Sequence, residues 1–498
     1  MQPRRSPIAA PHEDLAALAN RSAETPTCSA RPARRIGALL LALLTAGCGS
    51  LNPFGGAPSG SGGTIAGFQG AVVAPEPRAA LIGHEILAHG GDAADAATAM
   101  GFALAVTLPS RVGLGGSGAC LSFIPGRHAP EGGVPQAILF TPEAAPPEPT
   151  RPADRPAALP MLARGLYLLH ARSGRLPFPA LIAPAEELAR FGTPASRPLV
   201  RDIDIVAGPL LADPSARAVF GPAGTPLAIG AMLRQPALAA TLGRLRVAGV
   251  GDLYQGELAR QLAAESPLAG GPIGATALRT ALPRVVAPIV LTDGNDRVAF
   301  LPPPADGGLA AAGAFQVLHH DPRALDAAAA RALSIAAAWR RGGSTAAALL
   351  AGTVAPGGLP ALPASTTFLA LDRAGGAVAC ATTMGNLFGT GRIVPGLGFL
   401  LAASPATTPP PLLAAALAWN PNLHAFRAEA AGSGEQGAAL AAATAMSNAL
   451  RTGQAMPAAV PAPGRAQAIA CARYLPGESG ACGWAEDPRG SGLASGGN

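Results

Sequence analysis

The sequence predicts a mixed α+β fold, and three observations carry that expectation. Apolar residues at Leu81, Ile82, Ile86 and Leu87 have helical spacing, and Gly90-Gly91 stops that run. Two stretches, Thr366 to Asp372 and Ala377 to Thr383, are β-patterned and joined by Arg373-Ala374-Gly375-Gly376, a hairpin turn. A chain of 498 residues that is 49% hydrophobic can also bury a large core in one or two domains.

The N-terminal stretch ARPARRIGALLLALLTAGCGS reads as a targeting segment. Arg31, Arg34 and Arg35 precede an apolar run, Ile36 to Leu44, that is too short to span a bilayer and ends in Thr45-Ala46-Gly47-Cys48. This is the pattern of a bacterial lipoprotein signal, preceded by a long polar lead-in. It predicts removal of residues 1–47, lipidation of Cys48, and a flexible Gly/Ser-rich tether over 48–63. Gly49 after the cysteine points to the outer membrane, facing the periplasm, as the destination in the cell envelope. That compartment is oxidising, so Cys471 and Cys482, which flank a Pro/Gly turn, are expected to form a disulfide worth about 2–3 kcal/mol. Cys120 and Cys380 are expected to be buried small hydrophobes. The net charge is +6, but several arginines belong to the leader and the body has no Lys/Arg stripe interleaved with aromatics, which excludes nucleic acid as a partner.

In the body of the chain, Asp92 caps a second helix that runs to about Leu108. The glycine-rich turn Gly113 to Gly118 leads into a strand, Ala119 to Ile124. It does not open a helix and carries no Lys-Ser/Thr, so nucleotide binding is excluded. His84 and His89 flank the first helix and read as surface residues. Leu159 to Leu262 is helical in pattern, with stops at Gly174, Gly192 and Gly230, and Leu309 to Leu350 is Ala-rich and mostly helical. The Pro/Gly segment Ala351 to Ser365 reads as an exposed processing loop, and residues 432–449 as a glycine turn followed by an amphipathic helix.

Several motifs, in order along the chain, carry a family likeness: VVAPEPRAALIGHEILAHGGDAADAATA, GLGGSGACLSF, GRLPFPALIAPAEELARFGTPAS, LRQPALAATLGRLRVAGVGDLYQGELA, TTMGNLFGTGRIVPGLGFLL and DPRGSGLASGG. On these the sequence resembles the γ-glutamyltranspeptidase family. The resemblance implies a four-layer αββα sandwich of the N-terminal-nucleophile hydrolase type, self-cleaved into a large and a small subunit, here 64–364 and 365–498. The first residue of the small subunit would be the nucleophile, with its own freed α-amine as general base, since an amine of pKa about 8 is substantially neutral near neutral pH. Running back without a gap from the hairpin places Ser365 at that position. If the strand lacks one residue, Thr366 takes it, and because a one-residue slip reverses the face of every side chain, only one register can hold.

The family's substrate-binding pattern is altered. Its carboxylate-binding Arg, just before Glu-x-Ala-Pro, aligns with Pro142, and Arg151 or Arg155 could supply the missing charge. The loop Asn aligns with Gly385, leaving Thr383, Gly385 and Asn386 as the substrate contacts of that loop. The Asn-Asn-x-x-Asp segment falls between Ala402 and Thr407 and the paired serines within Leu412 to Leu417, where none of those residues occurs. The backbone oxyanion pair aligns with Gly434 and Glu435. The resemblance therefore implies hydrolysis or transfer of γ-glutamyl or related amide groups such as that of glutathione, a small-molecule substrate, and no metal or organic cofactor. The alternative is a catalytically degenerate envelope lipoprotein with a structural or binding role.

Overall fold

The computed structural model describes residues 67–126, 133–147, 152–457 and 460–497. The expected leader, Cys48, the tether and Arg151 lie outside the described residues. In chain order the strands are β1 (Gly70–Ala74), β2 (Ser117–Phe123), β3 (Gln136–Phe140), β4 (Thr193–Pro194), β5 (Met232–Leu233), β6 (Arg284–Val286), β7 (Ile289–Asp293), β8 (Asp296–Phe300), β9 (Thr366–Asp372), β10 (Ala377–Thr383), β11 (Ala414–Asn420), β12 (Ala425–Ser433), β13 (Arg465–Leu475), β14 (Cys482–Glu486) and β15 (Leu493–Gly496). Two antiparallel sheets account for all but β4 and β5, which pair with each other. One sheet runs β15-β1-β9-β10-β2-β3-β6 and the other β14-β13-β12-β11-β8-β7.

Alternation along β9 shows how the layers stack, because successive side chains of a strand point to opposite faces. Phe368 and Ala370 share a core with Ala96, Met100 and Leu104 of helix α2 (Ala93–Thr107), which follows α1 (Pro77–Ala88). Leu369 and Leu371 instead join the core that holds Ala415, Leu417 and Ile469 of the second sheet. On the outer face of that sheet, Ala414, Ala416, Ala428 and Ala430 cluster with Ala310 and Phe315 of helix Asp306–His320 and Ala441 and Ala445 of helix Ala438–Thr452. Helix, sheet, sheet and helix are therefore stacked in four layers, as the sequence motifs imply. Asp92 caps α2 as expected: its side chain accepts from the Ala94 and Asp95 amides at 3.0 Å, and Asp95 reciprocates to the Asp92 amide.

The regions 64–364 and 365–498 are interleaved. The first sheet takes β1, β2, β3 and β6 from one and β9, β10 and β15 from the other, and the second sheet is mixed in the same way. Neither region completes a sheet without its partner.

The expectation for Cys120 and Cys380 is corrected. They are direct register partners across β2 and β10 and form a disulfide, with Cα atoms 4.1 Å apart although the residues are 260 positions apart in sequence. Opposed residues of a non-hydrogen-bonded antiparallel pair lie about 4.5 Å apart, which brings two cysteine sulfurs within bonding reach. Cys471 and Cys482 are joined in the same way across β13 and β14.

Candidate active site

Ser365 stands immediately before β9. Extending the strand's alternation back by one residue puts Ser365 and Thr367 toward the second sheet and Thr366 toward the helices. Thr367 accordingly reaches across, its Oγ1 donating to Gln467 Oε1 on β13 at 3.0 Å. Ser365 is 1% exposed, and its Oγ has no hydrogen-bond partner among the described residues. A buried hydroxyl left unpaired costs about 1–3 kcal/mol.

The peptide bond that precedes Ser365 is held firmly. Thr383 Oγ1 donates to the Ala364 carbonyl at 2.8 Å while accepting from the Gly385 amide at 2.9 Å. Its proton is thereby committed to the carbonyl, which is polarised toward attack. On the other side, Arg111 Nη1 donates to the Ser365 carbonyl at 3.3 Å. Arg111 sits in the loop after α2 and forms a bidentate pair with Asp202, both contacts at 2.6 Å, while Ser110 Oγ donates to the same carboxylate at 2.7 Å. Burial opposes the charge on Arg111, but the Asp202 pair and the nearby Glu435 outweigh it and hold the guanidinium firmly protonated. Asp202 belongs to helix Arg197–Ala212, which departs from helical geometry at Val206. Pro209 explains the kink, since it has no N–H to donate to the Ile205 carbonyl one turn earlier.

Arg111 and Ala364 border a cavity of about 900 Å3. Pro363 and Ala364 form one part of its wall and Asn386, Leu387 and Thr390 another. Gly434 and Glu435 face it as well, both in left-handed backbone conformation, which is uncommon for a non-glycine such as Glu435. Ile205, Val206, Pro209 and Leu210 supply an apolar wall, and Arg111, Arg155, Arg465 and Arg489 a cationic one. A second, small cavity of about 40 Å3 adjoins it, lined in part by Thr366, Arg201, Arg465, Gln467 and Glu486. Arg111, Ser433 and Arg465 border both. Glu486 accepts from Gln467 Nε2 at 3.2 Å, and burial, with the charge of Asp487 adding, pushes its carboxyl up to about 7. Among the described residues no group of three or more His, Cys, Asp or Glu side chains is placed to hold a metal ion.

Of the residues singled out from sequence, Asn386, Gly434 and Glu435 come together on the wall of the large cavity, and Arg155 joins them, its Nη1 donating to the Thr390 carbonyl at 2.7 Å. Ser365 borders neither cavity and lies between Ala364, on the wall of the large one, and Thr366, on the wall of the small one. Thr383 and Gly385 are buried behind the wall, where Thr383 Oγ1 donates to the Ala364 carbonyl and the Gly385 amide donates to Thr383 Oγ1. Pro142, His84 and His89 are not part of the wall. Arg111, Arg201, Asp202, Arg465 and Glu486 escaped the sequence reading. Arg111 stands two residues before the glycine-rich turn and Arg465 follows Pro463-Gly464, but a lone arginine beside a turn carries no local signature of a site.

Residues 79–334, just over half of the chain, match the family model for gamma-glutamyltranspeptidase. The chain belongs to the gamma-glutamyltranspeptidase family. Glutathione hydrolase 2 of Arabidopsis thaliana is 29% identical over 249 residues, covering 49% of this chain and 43% of that protein. The glutathione hydrolase proenzyme of Escherichia coli K12 is 31% identical over 258 residues, covering 48% and 43%. The acylase ACY 1 proenzyme of Pseudomonas sp. SE83 is 32% identical over 260 residues, covering 49% and 46%. The chain thus spans about half the length of the relatives it matches. Among solved structures, cephalosporin acylase from Bacillus halodurans superposes with a TM-score of 0.69 at 19% identity, over 89% of this chain and 98% of that one, which shows the shared fold. The gamma-glutamyltranspeptidase family match ends before Ser365, so the choice between Ser365 and Thr366 rests on the geometry of β9.

Proposed function

We propose that this chain is a self-processing amide hydrolase or acyltransferase of the cell envelope, with Ser365 as its nucleophile. One observation carries the reading: Ser365 Oγ is buried without a partner, directly after a peptide carbonyl that Thr383 polarises. Attack of Ser365 Oγ on the Ala364 carbonyl carbon breaks the Ala364–Ser365 amide and leaves an ester, the departing nitrogen taking up the hydroxyl proton. Water then hydrolyses the ester, releasing an Ala364 carboxylate and a Ser365 that carries both a free hydroxyl and a free α-amine. That amine, in its neutral form, takes the Oγ proton as the oxygen attacks a substrate amide, and returns it to the leaving amine. The acyl ester on Ser365 is resolved by water or by an acceptor amine.

Family membership and the acylase relatives support amide chemistry on small molecules, and γ-glutamyl compounds such as glutathione are the first substrates to test. The lipoprotein-like leader supports a lipid anchor at Cys48 and a periplasm-facing location. A second reading, a catalytically silent envelope protein, is favoured by Pro142 and by the absence of Asn and Asp between Ala402 and Thr407. Intact mass and N-terminal sequencing under reducing conditions separate the two. The amide-hydrolase reading expects a small fragment that begins at Ser365, lost in Ser365→Ala and retained in Thr366→Ala. The reverse pattern would move the nucleophile to Thr366, and a single uncut chain would support the silent reading.

A further inference from the structure

The cation that the family places before Glu-x-Ala-Pro is missing, yet the neighbourhood of Ser365 is rich in guanidinium groups. Their partners separate them into two sets. Arg111 is neutralised by Asp202, Arg489 by Asp487, and Arg155 is engaged with the Thr390 carbonyl. Arg201 and Arg465 have no side-chain hydrogen bond and no ion pair among the described residues, and both line the small cavity beside Thr366. The carboxylates near them do not cancel that charge. Glu435 is exposed on the rim of the large cavity, Asp487 is taken by Arg489, and Glu486 is buried and bonded to Gln467.

We propose that Arg465 and Arg201, with Arg111 behind them, form an anion-binding subsite that holds a carboxylate of the amide substrate next to Ser365. Three features support it. Arg465 borders both cavities, the larger lined by Ala364 and the smaller by Thr366, so an anion seated on it lies beside the stretch of chain that carries Ser365. The small cavity has room for about one water-sized group, which suits the end of a carboxylate and not a ring. Arg465 also sits among like charges: burial, then the charges of Arg201 and Arg111, lower its pKa, and a bound oxyanion offsets that repulsion. The guanidinium fork offers paired donors matched to a carboxylate. Across the large cavity, Ile205, Val206, Pro209 and Leu210 give the remainder of the ligand an apolar surface. The substrate class is therefore an amide whose acyl or amine part bears a carboxylate at one end and apolar substance elsewhere.

This inference rests on Ser365 being the reacting residue, and its test keeps the two claims apart. Isothermal titration of the purified protein with glutarate, and separately with the uncharged diamide glutaramide, reads the subsite without any turnover. Glutarate is expected to bind in a salt-dependent manner, glutaramide at least tenfold more weakly, and Arg465→Gln and Arg201→Gln each to weaken glutarate at least tenfold while circular dichroism stays unchanged. In parallel, the p-nitroanilides of glutaric and of pentanoic acid report turnover, and mass spectrometry reports self-cleavage. No glutarate binding, equal binding of glutaramide, or glutarate binding untouched by both substitutions overturns the subsite, even if both anilides are hydrolysed. Charge-selective binding lost in both variants supports it, even in a chain that neither cleaves itself nor turns over an anilide, where only the catalytic reading would fall.

Discussion

Replacing Glu429 should make this protein more stable. Glu429 lies on β12 opposite Leu417 and Ile469, on the face directed to the first sheet, and is 0% exposed. Neither of its carboxyl oxygens has a hydrogen-bond partner among the described residues. Burial, with the charge of Asp372 adding, holds its pKa well above the ordinary carboxyl range. The sign of the pH dependence follows. Above about pH 4.5 the unfolded chain releases this proton and the folded chain keeps it, so stability declines by about 1.4 kcal/mol per pH unit until the folded pKa is reached. Glu429→Gln removes that slope and keeps a buried polar group. Glu429→Leu removes both the slope and the unsatisfied oxygens, and is expected to stabilise by about 1–3 kcal/mol near neutral pH. Unfolding of roughly 430 residues at about 2.1 cal/mol/K each gives an entropy near 0.9 kcal/mol/K, so the rise in Tm should be about 1–3 °C. Asp92 and Glu486, each pushed up to about 7 mainly by burial, lose stability over the same pH window. The informative quantity is therefore wild type minus variant, followed by calorimetry from pH 4.5 to 8. A Glu429→Leu protein that melts lower, or a Glu429→Gln protein with the full wild-type slope, would refute the reasoning.

Two further outcomes are expected. If the chain is cut between Ala364 and Ser365, Cys120 and Cys380 lie on different fragments, so the pieces should run together without reductant and separate with it. The smaller piece, 134 of 498 residues of a 49.1 kDa chain, would run at about 13 kDa, and fragments that part without reductant would contradict the Cys120–Cys380 pairing. Thr383→Val keeps the shape of the side chain but removes the donor to the Ala364 carbonyl, and should slow self-cleavage about 100-fold, as loss of one oxyanion-type donor does. An unchanged cleavage rate on timed gels would show that the Thr383 hydroxyl only braces the loop.

The layers of the fold were legible where side chains differ strongly from one another. The Asp92 cap, the glycine stops at Gly174 and Gly192 and the Thr366–Asp372 and Ala377–Thr383 hairpin occupy the positions their local patterns indicate, because capping, breaking and alternation act within a few residues; Gly230, also expected to stop a helix, lies in a turn, and Gly221 ends the helix before it. Strands β11 and β13 were not legible. Ala414 to Ala418 is nearly all alanine, and alanine has neither a strong strand preference nor a contrast between faces.

The site divides along the same line. Sequence alone offered two adjacent residues, Ser365 and Thr366, as candidate nucleophiles, since a family motif counts positions, and it pointed to changes at the family's substrate-binding positions. Only the tertiary structure set Ser365 and Thr366 on opposite faces of the β9 line, and only it joined Cys120 to Cys380, 260 positions apart. It alone gathered Arg111, Arg201 and Arg465 from a loop, a helix and a strand start around one cavity. Charge clustering between residues hundreds of positions apart depends on how sheets and helices stack, and no local pattern encodes it.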